Sequence, residues 1–208
     1  RICQRVNMIM NFAVRKELVA VNKLYGLGED FQAPPAKQHL PTIKPSELPK
    51  LMVDIARANI KPVTRYLLEW QLHTMVRPSE AAGAKWEEID FETMIWSIPA
   101  IRMKKKRDHA VPLSSQALEI LESIRPFSGH REYVFPADFK PREHANNSTA
   151  NMALRRMGYK GKLVAHGLRS IASTVLHEQT FNSDLIETAL AHVDKNTTRS
   201  AYNRTEYL

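Results

Sequence analysis

Apolar residues recur at helical spacing through the first twenty positions: Ile2, Val6, Ile9 and Ala13, then Val14 and Leu18. Side chains three and four apart share one face, so this spacing predicts an amphipathic helix. The pattern then stops. Between residues 26 and 45 fall Gly26, Gly28, Pro34, Pro35, Pro41 and Pro45, and a run so rich in proline cannot hold a continuous helix or a central strand. The pattern divides the chain into an opening helix over 1–25, a linker over 26–45 and a larger domain over 46–208.

Periodicity returns in the larger domain. Ser46 is placed to N-cap a helix whose apolar face is Leu48, Leu51, Met52 and Ile55. Pro62 suits the first turn of a second helix, with Val63, Leu67 and Trp70 on one side, and Pro78 opens a short third one. Residues 94–98 (MIWSI) and 109–113 (HAVPL) read as two β-strands joined by a basic loop. Ala117, Ile120, Leu121 and Ile124 predict another helix, REYVFP (131–136) a short strand, and the stretch from Asn146 to the end four helices in succession. The expected fold class is mainly α with a small antiparallel β-sheet, an α+β arrangement.

Composition narrows the class. With 43% hydrophobic and 25% charged residues, the chain has the make-up of a folded globular protein. No apolar run approaches the roughly 18 residues that suggest a membrane span. A single cysteine, Cys3, excludes an internal disulfide or a zinc finger and fits a reducing compartment. The formal charge of +8 favours a polyanionic partner. With neither a leader pattern nor an initiator methionine, the chain is expected to be a piece of a longer protein, its opening helix the end of a largely absent domain.

Several groups could carry chemistry on such a partner. In AHGLRS (165–170), His166 and Arg169 lie three apart at the start of an apolar helical pattern, so they share a face and could meet a common anion. Arg77, in VRPSE, precedes the proline that opens a helix. It could clamp a phosphate with Glu80 holding its guanidinium, or the two could form an ordinary surface pair. The loop RMKKKRDH gathers Arg102, Lys104, Lys105, Lys106 and Arg107, and RRMGYKGK adds Arg155, Arg156, Lys160 and Lys162. Either run could follow a phosphate backbone or be a solvated charged turn. One loop lysine could act as a general acid. His192 follows an apolar helix, and Tyr202 lies ten residues beyond it with Tyr207 as its rival. A tyrosine needs nearby positive charge or a base to become a nucleophile.

Taken in order, Arg77, Lys104, the His166–Arg169 box, His192 and Tyr202 resemble the motif set of the tyrosine recombinases, the phage-integrase class of site-specific DNA recombinases. The resemblance runs from about residue 45 to the end. The wording of QLHTMVRPSEAAG, VPLS and LAHVDKN…AYNR is most similar to integrases of satellite prophages and genomic islands. Many family members have one residue fewer between the last histidine and the tyrosine. The genomic-island group shares the longer spacing.

The resemblance implies the tyrosine recombinase catalytic-domain fold and a mechanism. Tyr202 attacks a scissile phosphodiester, a 3′-phosphotyrosyl bond forms and a 5′-hydroxyl leaves. Arg77 and Arg169 neutralise the non-bridging oxygens, Lys104 protonates the leaving oxygen, His166 serves as base or donor, His192 donates to the phosphate, and Glu80 orients Arg77. No cofactor and no metal are expected. The expected partners are duplex DNA attachment sites and a homotetramer on DNA formed from free monomers, with accessory DNA-bending or excisionase proteins and no membrane. The expected compartment is the bacterial cytoplasm, in association with the nucleoid. A type IB topoisomerase, a non-catalytic DNA-binding module and a metal-dependent nuclease are the alternatives.

Overall fold

The computed structural model describes residues 2–31, 40–140 and 142–192, and the chain separates into two compact units, Arg1–His39 and Leu40–Leu208. In the first unit helix α1 spans Ile2–Arg15. It ends short of the predicted limit because Glu17 takes a left-handed conformation and the Leu18 N–H turns back to the Ala13 carbonyl at 3.0 Å.

The second unit holds, among its described residues, helices α2 (Leu48–Arg57), α3 (Pro62–Thr74), α4 (Pro78–Ala82), α5 (Ser115–Ser128), α6 (Thr149–Leu154), α7 (Ala165–Glu178) and α8 (Ser183–Ala189), with strands β1 (Ile89–Asp90), β2 (Ile95–Ile98) and β3 (His109–Pro112) between α4 and α5. The three strands form one antiparallel sheet in the order β1-β2-β3, with Trp96 opposite Val111 and Ile98 opposite His109. The mainly helical fold with a small antiparallel sheet matches the expected class. The predicted strands at 94–98 and 109–113 are both present, and β1 adds a third that the pattern did not announce.

Helix α3 organises the core by burying two faces. Leu67 and Trp70 enter a cluster with the sheet and α5, where Trp70 meets Trp96 at a ring separation of 5.1 Å. Leu68 enters a second cluster with α2, α6 and α7, among Leu51, Ile55, Leu154, Leu168 and Ile171. A helix buried on two sides fixes its own position firmly, and its C-terminal end with it. The predicted one-sided face of Val63, Leu67 and Trp70 therefore captured half of its role.

Two local expectations are corrected. Ser46 is not an N-cap: Pro45 starts a 3₁₀ turn over Pro45–Glu47, α2 begins at Leu48, and the Glu47 carboxylate takes the Lys44 N–H at 3.0 Å. REYVFP is not a strand. Its backbone pairs with loops, Trp86 N–H to the Glu132 carbonyl and Val134 N–H to the Ala84 carbonyl, so only isolated bridges form. The run after Asn146 yields α6, a wide π turn at Arg155–Tyr159, α7 and α8. The fourth predicted helix lies outside the described residues.

The first turn of α7 is held by a close approach. The segment Pro41–Ile43 crosses it: the Pro41 carbonyl accepts from Val164 N–H, and the Thr42 hydroxyl donates to the Gly167 carbonyl at 3.0 Å. A Cβ on Gly167 would stand 2.6 Å from the Pro41 oxygen, inside van der Waals contact with backbone that has little room to move. Gly167→Ala is therefore expected to lower stability by about 1–3 kcal/mol, read as a reduced urea midpoint with an unchanged slope. A midpoint equal to that of the parent would show that the crossing segment yields freely.

Candidate active site

The site begins where α3 stops. Met75 ends the helix in a left-handed conformation, φ 53°, uncommon for a residue with a side chain. Two residues on, Arg77 is the N-cap of α4 and Pro78 its first residue. Glu80, only 1% exposed, turns back on Arg77 with both oxygens. One accepts from Nη1 at 2.9 Å and the other from the backbone N–H at 2.9 Å. The Arg77–Glu80 pair is thus a brace in the interior, not a surface ion pair.

Arg169, one turn into α7, is 4% exposed. Its Nη1 donates to the Met75 carbonyl at 2.5 Å and its Nη2 to the Leu190 carbonyl at 2.6 Å. Arg77 Nη2 approaches the next carbonyl, that of Ala191, at 3.4 Å. The end of α8 thus receives both guanidiniums, where the helix dipole is negative. His192 follows immediately. Its Nε2 lies 3.4 Å from Arg169 Nη2, and its Nδ1 lies 2.8 Å from a Glu187 oxygen. A guanidinium only donates, so Nε2 accepts and the ring proton on Nδ1 points to Glu187.

Arg77, Arg169 and the nearby Lys104 outnumber the carboxylates of Glu80 and Glu187, which leaves an excess positive charge. Burial, then the neighbouring Arg77, bring the Arg169 pKa down to about 10, so it stays cationic at neutral pH while favouring any anion that approaches. His166 sits exposed in the first turn of α7. Burial first, then Arg169, Arg77, Lys104 and His192, hold its pKa below the ordinary histidine value. A neutral imidazole there can accept a proton. The structure brings Arg77, Glu80, His166, Arg169 and His192 together, with Lys104 near enough for its charge to reach His166.

Lys104 is exposed on the β2–β3 hairpin beside buried Met103. Arg102 turns the other way. Its Nη2 pairs with Glu88 at 3.0 Å, and its guanidinium lies over Gly83, where a Cβ would meet it at 2.5 Å. Arg102 therefore anchors the hairpin instead of standing on its outer rim. Lys105 and Arg107 are exposed, and Lys106 donates to the Ile101 carbonyl at 3.1 Å. Arg155, Arg156, Lys160 and Lys162 are exposed around the turn between α6 and α7. Tyr202 and Tyr207 lie outside the described residues. Among the described residues no group of three or more His, Cys, Asp or Glu could hold a metal ion, and no helix is long and apolar enough to cross a membrane.

The sequence reading missed two side chains. Glu187 orients His192 from one turn earlier on α8. His109, at the start of β3, interacts with the Ala189 carbonyl and feels the charges of Glu80, Arg169 and Arg77. Strand alternation places it on the same face as buried Val111, and that was the available signal.

Residues 41–208 match the phage integrase family. The chain is 51% identical over its whole length to "Prophage integrase IntA" of Escherichia coli (strain K12), covering 50% of that protein. It is 34% identical over 99% of its length to the integrase of Enterobacteria phage P4, again covering 50%. It thus spans about half the length of these relatives. A lambda integrase tetramer bound to a Holliday junction superposes with a TM-score of 0.71 at 17% identity, over 99% of this chain and 60% of that one.

An anion in this site should be visible at His166. Sulfate, which does not titrate near neutrality, would offset the guanidinium charges that depress the histidine and so raise its pKa. By linkage, sulfate affinity should then strengthen as pH falls through the His166 titration. NMR titration of the imidazole with and without sulfate checks both. A His166 pKa that stays put or moves down on sulfate addition would remove the anion site.

Proposed function

The chain belongs to the phage integrase family, and from that membership we propose that the protein is a site-specific DNA recombinase that integrates or excises a mobile element. The observation that carries the proposal is the convergence of Arg77, Arg169 and Lys104, which outnumber the carboxylates of Glu80 and Glu187, beside the His166 imidazole whose pKa burial and those cations lower. Such a constellation stabilises a phosphodiester at the moment its oxygens gain charge.

In the proposed reaction the Tyr202 oxygen attacks the scissile phosphorus and forms a 3′-phosphotyrosyl bond, while the bond to the 5′ oxygen breaks. The tyrosine proton passes to His166, whose lowered pKa suits a base. Lys104 delivers a proton to the leaving 5′ oxygen. Arg77 and Arg169 neutralise the non-bridging oxygens, and Glu80 keeps the Arg77 fork planar to them. His192 stands beside Arg169 to hydrogen-bond the phosphate, with Glu187 orienting its ring. The phosphodiester energy is conserved in the tyrosyl ester, so rejoining needs no external energy source.

The proposed substrate is duplex DNA at attachment sites, followed by Lys105, Lys106, Arg107, Arg155, Arg156, Lys160 and Lys162. The lambda relative forms a tetramer on a Holliday junction, and the same assembly is proposed here, built from monomers with accessory DNA-bending or excisionase proteins. Action at the bacterial nucleoid follows from that substrate. The opening unit is proposed to end a preceding DNA-binding domain.

A nicked suicide duplex tests the chemistry. The parent protein should become covalently attached to the DNA 3′ end. Tyr202→Phe should abolish the adduct while leaving DNA affinity nearly intact, and Tyr207→Phe should retain it. Arg77→Lys, which keeps the charge but loses the fork, should reduce adduct formation on the order of a hundredfold or more. Adducts formed equally by the Tyr202 variant would defeat the assignment. Binding itself should weaken steeply with salt, with a log–log slope of about −0.9 per neutralised phosphate. A flat salt dependence would rule out the basic track.

A further inference from the structure

Three consecutive backbone carbonyls at the end of α8 each meet a different side chain. Ala189 receives the His109 ring, Leu190 receives Arg169 at 2.6 Å, and Ala191 receives Arg77 at 3.4 Å. The three side chains come from separate elements: β3, α7 and the turn before α4. His192, the next residue, leans on Arg169 at 3.4 Å. The last turn of α8 is therefore gripped from three sides, and the grip decides where His192 stands relative to the two guanidiniums. The His109 Nε2 is buried and has no hydrogen-bond partner. A polar atom kept buried without a partner carries a desolvation cost, and an apolar side chain of similar size would avoid it.

We propose that His109 is a positioning residue of the phosphate site, a ring that ties the β2–β3 hairpin strand to the end of α8 and thereby sets His192, Arg77 and Arg169 at the spacing one phosphate requires. The residue touches none of the reacting atoms. It acts through the carbonyl it holds. Burial, reinforced by those two arginines, holds the ring below the usual histidine pKa, while Glu80 and the Ala189 carbonyl act in the opposite direction.

Strand pairing supports the same reading. His109 stands opposite Ile98 in the β2–β3 ladder, at the end of the strand next to the hairpin that carries Lys104. Asp108, its neighbour, closes the hairpin base by accepting the Ala100 N–H at 2.7 Å. One side chain thus connects the hairpin that presents the proposed acid to the helix end that presents His192. In the proposed site Lys104 and His192 face one phosphate from two elements distant in sequence, and His109 joins those elements.

The inference rests on the proposed phosphate site, and its test is chosen to stand apart from the cleavage assay. Inorganic phosphate is titrated into the protein and into three variants, with the His192 ring signals followed by NMR and thermal melting recorded for each. His109→Leu removes the polar ring. His109→Asn and His109→Gln place an amide N–H near one or the other ring nitrogen. Loss of one hydrogen bond that orders the site should weaken phosphate binding about tenfold in the Leu variant and displace the His192 signals. At least one amide variant should restore both to within about threefold of the parent, a fraction of one hydrogen bond. A Leu variant that binds phosphate like the parent overturns the proposal. So does failure of both amides to restore binding, which would reduce His109 to packing. A parent protein that binds phosphate but forms no DNA adduct would defeat the recombinase reading and leave this one standing.

Discussion

A guanidinium sealed inside the protein is the constraint around which the second unit is arranged. Removing Arg169 from water costs several kcal/mol unless its donors are matched. The matching groups are backbone carbonyls, Met75 at the end of α3 and Leu190 at the end of α8. Carbonyls at helix ends are otherwise unpaired, so one side chain satisfies two helix termini and is satisfied by them. The two apolar clusters on either side of α3 serve this arrangement. Trp70 and Leu68 pin the helix on opposite faces, and its end is thereby held still enough to receive a buried charge.

Carboxylates are used sparingly at the same place. Glu80 spends both oxygens on Arg77, and Glu88 takes the Lys85 N–H, the Trp96 indole N–H and Arg102 on one oxygen. The first brace steadies an arginine for use, the second anchors the hairpin that bears Lys104. Neither cancels the charge of Arg169. The result is a site whose framework is satisfied while its electrostatics remain open to an anion.

The sequence made much of this legible, for reasons that can be traced. MIWSI and HAVPL are short, largely apolar runs on either side of a basic loop, and both form strands. The family resemblance picked out Arg77, His166, Arg169 and His192 from positions far apart in the chain, and they meet in space. REYVFP misled because its apolar residues fill a core without a strand partner; burial and β-ladder pairing leave the same mark on a short run. Ser46 misled because a preceding proline can start a turn earlier than a capping residue can stop one. His109 stayed hidden because its partner is a backbone carbonyl eighty residues away, and backbone groups have no letter in the sequence. Tyr202 was named from the resemblance and lies outside the described residues.

Met75 and Ala191 share an unusual property: each adopts a left-handed backbone although it carries a side chain. Each also offers its carbonyl to one of the two arginines. Such a conformation costs roughly 1–2 kcal/mol per residue, a cost that glycine would largely avoid. Glycine, however, would let the turn wander among many conformations before anything bound. For an engineer seeking a more heat-resistant protein, these two positions would look like obvious places to relieve strain. They are better read as stiffeners, where stability is given up so that the arginines find their receivers in one fixed direction, and a stabilising library that includes them would select for a sturdier protein with a looser site.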